Sequence, residues 1–182
     1  GGLELAIRCH GLIAVHDAWL QFPEITLGIV PGIGAMVVPY RRWPQASATF
    51  HAMLRQGHKL DAPHALELGI LDAVTDDHQT LLYQAVELVG QLVESPRRIP
   101  EHPVELTALP DIEVESIEGQ TLSREVLGIM ESAIQQAAAA TSLSDALEIG
   151  YAAFGASACT TAAREGIDAF LERRQPDFRQ TG

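Results

Sequence analysis

The apolar positions change rhythm twice along the chain. At the start, Leu3, Ala6 and Ile7 keep helical spacing behind two glycines, which leave the first turn's N–H groups uncovered. Leu12 to Val15 is a short apolar run suited to a buried strand, and His16-Asp17-Ala18 turns the chain before Trp19 to Phe22. Pro31-Gly32-Ile33-Gly34 breaks regular structure, after which Ala35 to Trp43 reads as helical apart from Pro39. Asp61 is placed to N-cap a helix over Ala62 to Leu68. Gly69 stops that helix, and Leu71 to Val74 returns as a strand.

Beyond residue 76 the pattern is mainly helical. Leu81, Leu82, Ala85, Val86, Leu88, Val89 and Leu92 predict a strongly apolar helix closed by Pro96. Leu122, Val126, Ile129, Ala133, Ile134 and Ala137 mark a long helix, and Ser142-Leu143-Ser144-Asp145 starts another that carries Leu143, Leu147, Tyr151 and Phe154. A last helix from about Thr161 to Arg174 presents Ala163, Ile167, Phe170 and Leu171 on one side and ends before Pro176. Between Glu101 and Glu125 seven acids face one base, Arg124, so residues of about 96–120 read as an exposed acidic connector, its charge a solvated face. The stripe Leu122, Val126, Ile129 and Ile134 lies where no polar motif converges and is expected to supply contacts between copies of the chain.

Composition narrows the classes. With 182 residues, 47% hydrophobic and 20% charged, the chain is long enough for a real core and reads as globular. Its 12 Lys and Arg against 24 Asp and Glu give a formal charge of −12, which repels nucleic-acid phosphates and sets nucleic-acid binding aside. An anionic ligand would need a local basic patch or backbone N–H groups. The uncharged run Ile25 to Tyr40 is broken by Gly28, Pro31, Gly32, Gly34 and Pro39 and falls short of a membrane span, so no membrane partner is expected. Cys9 and Cys159 are too few and too distant for a zinc site or a disulfide framework, and the histidines lack ligand spacing. No metal is expected, and a reducing, cytoplasmic setting fits best. The chain opens at Gly1 with no initiator Met and reads as truncated or processed, which leaves a targeting segment open.

Three segments together resemble the enoyl-CoA hydratase/isomerase (crotonase) superfamily. They are Gly1-Gly2-Leu3-Glu4-Leu5-Ala6 with the strand at Ile13-Ala14, Phe22-Pro23-Glu24 through Leu27-Gly28 to Pro31-Gly32-Ile33-Gly34, and Arg164-Glu165-Gly166-Ile167 through Arg174 to Phe178. A lone Gly-Gly-x-Glu-Leu is a weak signal; joined to Pro-Glu-x-x-Leu-Gly-x-x-Pro-Gly it is strong. The likeness covers residues 1–76 and 159–178 well and is loose from 77 to 158, a stretch that reads as longer than in simple hydratases. The resemblance implies an α/β fold, the C-terminal part of a crotonase-type ββα spiral. Residues 1–76 would be core carrying both catalytic-type glutamates, and 77–182 a helical C-terminal subdomain. Three departures stand out: Ala35 where a glycine is common, Met36-Val37-Val38 where Thr-Gln-Arg often follows, and His10 where Asp is frequent. They suggest altered packing and substrate choice.

Adding water to a thioester-conjugated double bond needs a held water, a proton acceptor, a proton donor and N–H groups for the developing enolate oxygen. The resemblance implies that Glu4 activates the water, that Glu24 is the acid for the α-carbon, and that the backbone N–H of Gly1 is one of two enolate donors. The second donor would come from a strand–helix junction outside this sequence, so the chain alone is expected to be inactive. Gly2, Pro31, Gly32, Arg173 and Arg174 are implied as substrate-binding positions, the arginines near the CoA nucleotide. Plain alternatives stand beside these roles. Glu4 suits a helix's first turn by the macrodipole alone, Gly32 and Gly34 suit an ordinary turn, and Arg173 and Arg174 suit a helix C-cap. The implied partner is an acyl-CoA thioester, with coenzyme A as part of the substrate and no separate cofactor, in a trimer-based homo-oligomer. Enoyl-CoA isomerisation, thioester hydrolysis and a noncatalytic helical assembly module remain open.

Overall fold

The computed structural model describes residues 1–106 and 119–181. Its first half is an α/β arrangement with little sheet. Helix α1 (Gly2–Ala6) leads into strand β1 (Ile13–Val15), then β2 (Trp19–Leu20) and a single 3-10 turn, Glu24–Leu27. Helices α2 (Val38–Arg42) and α3 (Ser47–Gln56) follow, then β3 (Leu60–Asp61), α4 (Ala62–Glu67) and β4 (Ala73–Thr75). β1 pairs in parallel with β4 in the register Ile13↔Ala73, and β2 pairs antiparallel with β3 in the register Trp19↔Asp61. Asp72 prolongs the first ladder, its N–H donating to Leu12 O at 2.7 Å and its Oδ2 accepting from Leu12 N at 2.8 Å.

The second half is helical: α5 (His78–Glu94), α6 (Arg124–Ala139), α7 (Leu143–Ala158) and α8 (Thr161–Glu172). Each starts on a side-chain cap, Asp77, Ser123, Ser142 and Thr160 in turn, which satisfies one of the orphan N–H groups. Asp61 caps α4 as its sequence position predicts. Helix α3 has no counterpart in the sequence reading, and Ala35 to Val37 form turns rather than the first part of a helix. Pro39 is tolerated because it falls in the first turn of the short α2, where its missing N–H costs nothing.

One apolar core draws on both halves. Phe22, Ile25, Tyr40, Phe50 and Leu54 from the first pack with Leu122, Val126, Met130, Ile134 and Phe178 from the second. The expectation that the Leu122 stripe faces other copies is therefore corrected: Leu122, Val126 and Ile134 are buried inside the chain, and only Ile129 is partly exposed. The apolar surface lies elsewhere. No residue of α5 is buried, and Leu82, Val86, Val89 and Val93 lie open along it. On α8 the large apolar residues left exposed are Ile167, Phe170 and Leu171, while Ala162, Ala163, Gly166 and Ala169 make the packed face.

The acidic connector is tied down where it is described; residues 107–118 lie outside the described part. Arg41, 3% exposed, donates through Nη1 to the carbonyls of Pro100, Glu101 and His102 and through Nη2 to those of Ala137 and Ala140. One guanidinium thus closes the C-terminal end of α6 and pins the chain leading to it, an arrangement that suits its fixed fork of donors.

Two glycines set how closely α8 approaches the Glu24–Leu27 turn. A Cβ on Gly166 would stand 2.0 Å from Leu27 O, and one on Gly28 (φ +67°) 2.5 Å from Ala162 O. Backbone meets backbone here, so no side chain can give way. Gly166→Ala is expected to destabilise the fold by about 3 kcal/mol in urea titrations. Gly150→Ala in α7, whose Cβ would meet Val37 at an ordinary 3.5 Å, should stay within about 1 kcal/mol of the parent. Equal effects of the two substitutions would contradict this account of the contact.

Candidate functional site

Glu4 lies in the first turn of α1 and is 2% exposed. Its Oε1 accepts from three successive backbone N–H groups, those of Ile33 at 2.8 Å, Gly34 at 3.0 Å and Ala35 at 3.1 Å. Successive N–H groups aimed at one point form a concave anion cradle, and Gly34 makes it possible by adopting φ +137°, where a side chain would be strained. The replacement of a common glycine by Ala35 is thereby explained: the site uses its N–H, and its methyl is fully buried. Met36, Val37 and Val38 likewise extend the core, at 2% exposure or less.

Helix α7 supports the far side of the same loop. Ser157 Oγ accepts from Val30 N at 3.2 Å, and the Phe154 ring covers Gly32 so closely that a Cβ there would stand 2.9 Å from it. Arg8 donates to Ile33 O at 2.9 Å and to the Tyr151 hydroxyl at 3.2 Å. Pro31 is buried and Gly32 half-buried within this loop.

Glu24 opens the 3-10 turn, with its side chain 15% exposed. The nitrogen of Gly1 lies 3.6 Å from Oε1, whereas Oε2 is buried without a hydrogen-bond partner. Burial pushes the Glu24 carboxyl above the usual carboxylate range, and the nearby charge of Glu4 adds to the rise. The turn and α1 therefore bring Glu4, Glu24 and Gly1 near one another. Gly1 and Gly2 are exposed, and the space where a Cβ would sit on either is open.

The two arginines of the sequence reading lie at the C-terminal end of α8. Arg173 is the C-cap of α8 in the left-handed conformation, φ +55°. Arg174 binds Glu165 through both terminal nitrogens, at 2.5 and 3.0 Å, and Glu172 through Nε at 2.6 Å. This fork holds Glu165 down to about 2. The geometry thus supports the helix-cap alternative for this pair. The residues missed from sequence are Arg8, Tyr151, Phe154 and Ser157. Three of them join the loop from more than a hundred residues away, and nothing in local spacing marks such partners.

Among the described residues no group of three or more His, Cys, Asp and Glu could hold a metal ion, and no helix is long and apolar enough to cross a membrane.

Residues 1–103, more than half of the chain, match the family model described as enoyl-CoA hydratase/isomerase. A probable enoyl-CoA hydratase of Bacillus subtilis is 30% identical over 182 residues, covering 98% of this chain and 58% of that protein. The peroxisomal bifunctional enzyme of Cavia porcellus is 37% identical over 116 residues, 62% of this chain and 15% of that enzyme. The crystal structure of a carnitinyl-CoA hydratase from Mycobacterium avium matches with a TM-score of 0.65 at 21% identity, over 98% of this chain and 58% of that one. The chain thus spans 58% of the length of these two hydratases, and the mainly helical α/β arrangement is part of a crotonase fold. On these grounds the chain belongs to the enoyl-CoA hydratase/isomerase family.

Proposed function

We propose that the protein containing this chain hydrates a 2-enoyl-CoA thioester to the 3-hydroxyacyl-CoA, with residues 1–76 carrying the chemistry and 77–182 supporting it. The observation that carries the reading is the pair of neighbouring carboxylates in unlike surroundings. Glu4 is gripped by three N–H groups, and Glu24 is partly buried with one oxygen that has no partner. Two titratable groups so divided suit an acid and a base acting on one substrate. Glu4 takes a proton from water as its oxygen bonds to the β-carbon, and Glu24 gives a proton to the α-carbon. The Gly1 N–H steadies the enolate oxygen between these events.

Gly2, Pro31 and Gly32 are kept as substrate-binding positions, while Arg173 is left out as the C-cap residue of α8 and Arg174 because Glu165 and Glu172 engage its guanidinium. The reaction requires no cofactor beyond the CoA carried by the substrate. The exposed apolar residues of α5 and α8 are the surface offered to a homo-oligomer.

Loss of the conjugated enoyl-thioester absorbance tests the reaction in the full-length protein. Glu4→Gln and Glu24→Gln are each expected to lower kcat by about 10² to 10⁴, and the double variant by little more than the worse single one. Wild-type turnover in either single variant would overturn the paired-carboxylate mechanism.

Stability gives a second test. Between the ordinary carboxylate value and the raised value of Glu24, the folded protein keeps a proton that the unfolded chain has released. Glu24 therefore lowers stability progressively as pH rises through that window. Relative to Glu24→Gln, the parent should lose unfolding free energy from acid pH up to the raised value and then level off, measured by urea titration at each pH. A difference independent of pH would contradict the burial argument.

A further inference from the structure

The twelve basic side chains of this acidic chain are unevenly spread. Three of them, Arg42, Arg97 and Arg98, line one polar pocket of about 340 Å³ together with Trp43, Gln45 and Asp72. Arg42 cannot swing away from it. Its guanidinium donates to the carbonyls of Ile7 at 2.9 Å, Cys9 and His10 at 3.1 Å, and its carbon lies 4.6 Å from the centre of the Trp43 ring. That ring is itself stacked on Phe50. Arg97 pairs with Asp72, whose other oxygen is occupied by the Leu12 N–H. Arg98 is exposed and has no hydrogen bond or ion pair with the described residues.

Three guanidinium groups against one carboxylate leave a local excess of two positive charges in a chain whose formal charge is −12. Burial lowers the pKa of Arg42, while the attraction of Asp72 opposes the fall and the charge of Arg97 adds to it. Holding like charges together in this way costs folding energy that an anion would recover. Guanidinium forks match the oxygens of a tetrahedral oxyanion better than a point charge would. The volume lies at the small end of ligand sites, enough for a phosphate group with a small organic remainder. None of the residues that hold Glu4 or Glu24 lines this pocket.

We propose that the pocket formed by Arg42, Arg97 and Arg98 is a second site, one that binds a phosphate dianion, free or as a small monoester. Arg97 and Arg98 donate to its oxygens, and Arg42 supplies a fixed positive field. Asp72 is the internal competitor for Arg97.

Trp43 lines the pocket, and the only other tryptophan, Trp19, is 61% exposed, so Trp19→Phe leaves a single fluorescent reporter. In that background, sodium phosphate and glycerol phosphate are titrated beside acetate and chloride at equal ionic strength, with ³¹P line widths as a direct readout. A saturable response to phosphate or its ester and none to acetate or chloride supports the site; the tighter of the two identifies the source. Arg98→Gln should weaken binding about tenfold, the worth of one charge-assisted hydrogen bond. Asp72→Asn keeps an acceptor for Leu12 yet frees Arg97, and should tighten binding about tenfold. A response that chloride reproduces, or unchanged affinity in Arg98→Gln, would overturn the assignment.

Discussion

One carboxylate oxygen joins the two segments on which the site depends. Glu4 comes from α1 and its three N–H partners from the loop at residues 33–35, about thirty residues later. The N–H groups of Gly34 and Ala35 are buried, so without the carboxylate each would be left unsatisfied at a cost of about 1–3 kcal/mol. The loop cannot relax cheaply to recover them, because its course is set by buried Pro31 and by the positive φ of Gly34. Glu4 is thereby both a chemical group and the fastening that gives the loop its shape. Its own position is fixed by the groups it fixes.

The helices beyond residue 120 act on the same place from outside. α7 holds the loop through Ser157 and Phe154, and α8 presses on the turn that carries Glu24 through the bare backbone of Gly166. Arg41 closes α6 and ties down the chain that leads toward it. The helical half is thus part of the support for both carboxylates. Its buried stripe serves this chain's own core, and α5 and α8 carry several of the apolar residues left outward.

How much of this was legible in the sequence depends on how local each cause is. The cap at Asp61, the capping-box helix at Ser142 and the neighbourhood of Glu4 and Glu24 follow from short motifs and were legible. α3 was missed because Phe50, Met53 and Leu54 make only a short apolar stripe in a ten-residue helix that starts without a side-chain cap. The outer side of α8 misled because Ile167, Phe170 and Leu171 are the bulky residues, whereas close backbone approach selects the small ones. Arg174 could be read as an anion ligand until Glu165, nine residues earlier, proved to occupy it. Long-range partners such as Ser157 and Phe154 carry no local mark at all.

The grip of Glu4 on its loop can be measured amide by amide. Hydrogen exchange of Ile33, Gly34 and Ala35 should be slow in the parent and at least about tenfold faster in Glu4→Ala. Amides within α6, such as that of Met130, should keep their rates relative to global unfolding. Unchanged exchange at the three loop amides in Glu4→Ala would contradict the claim that this carboxylate holds the site together.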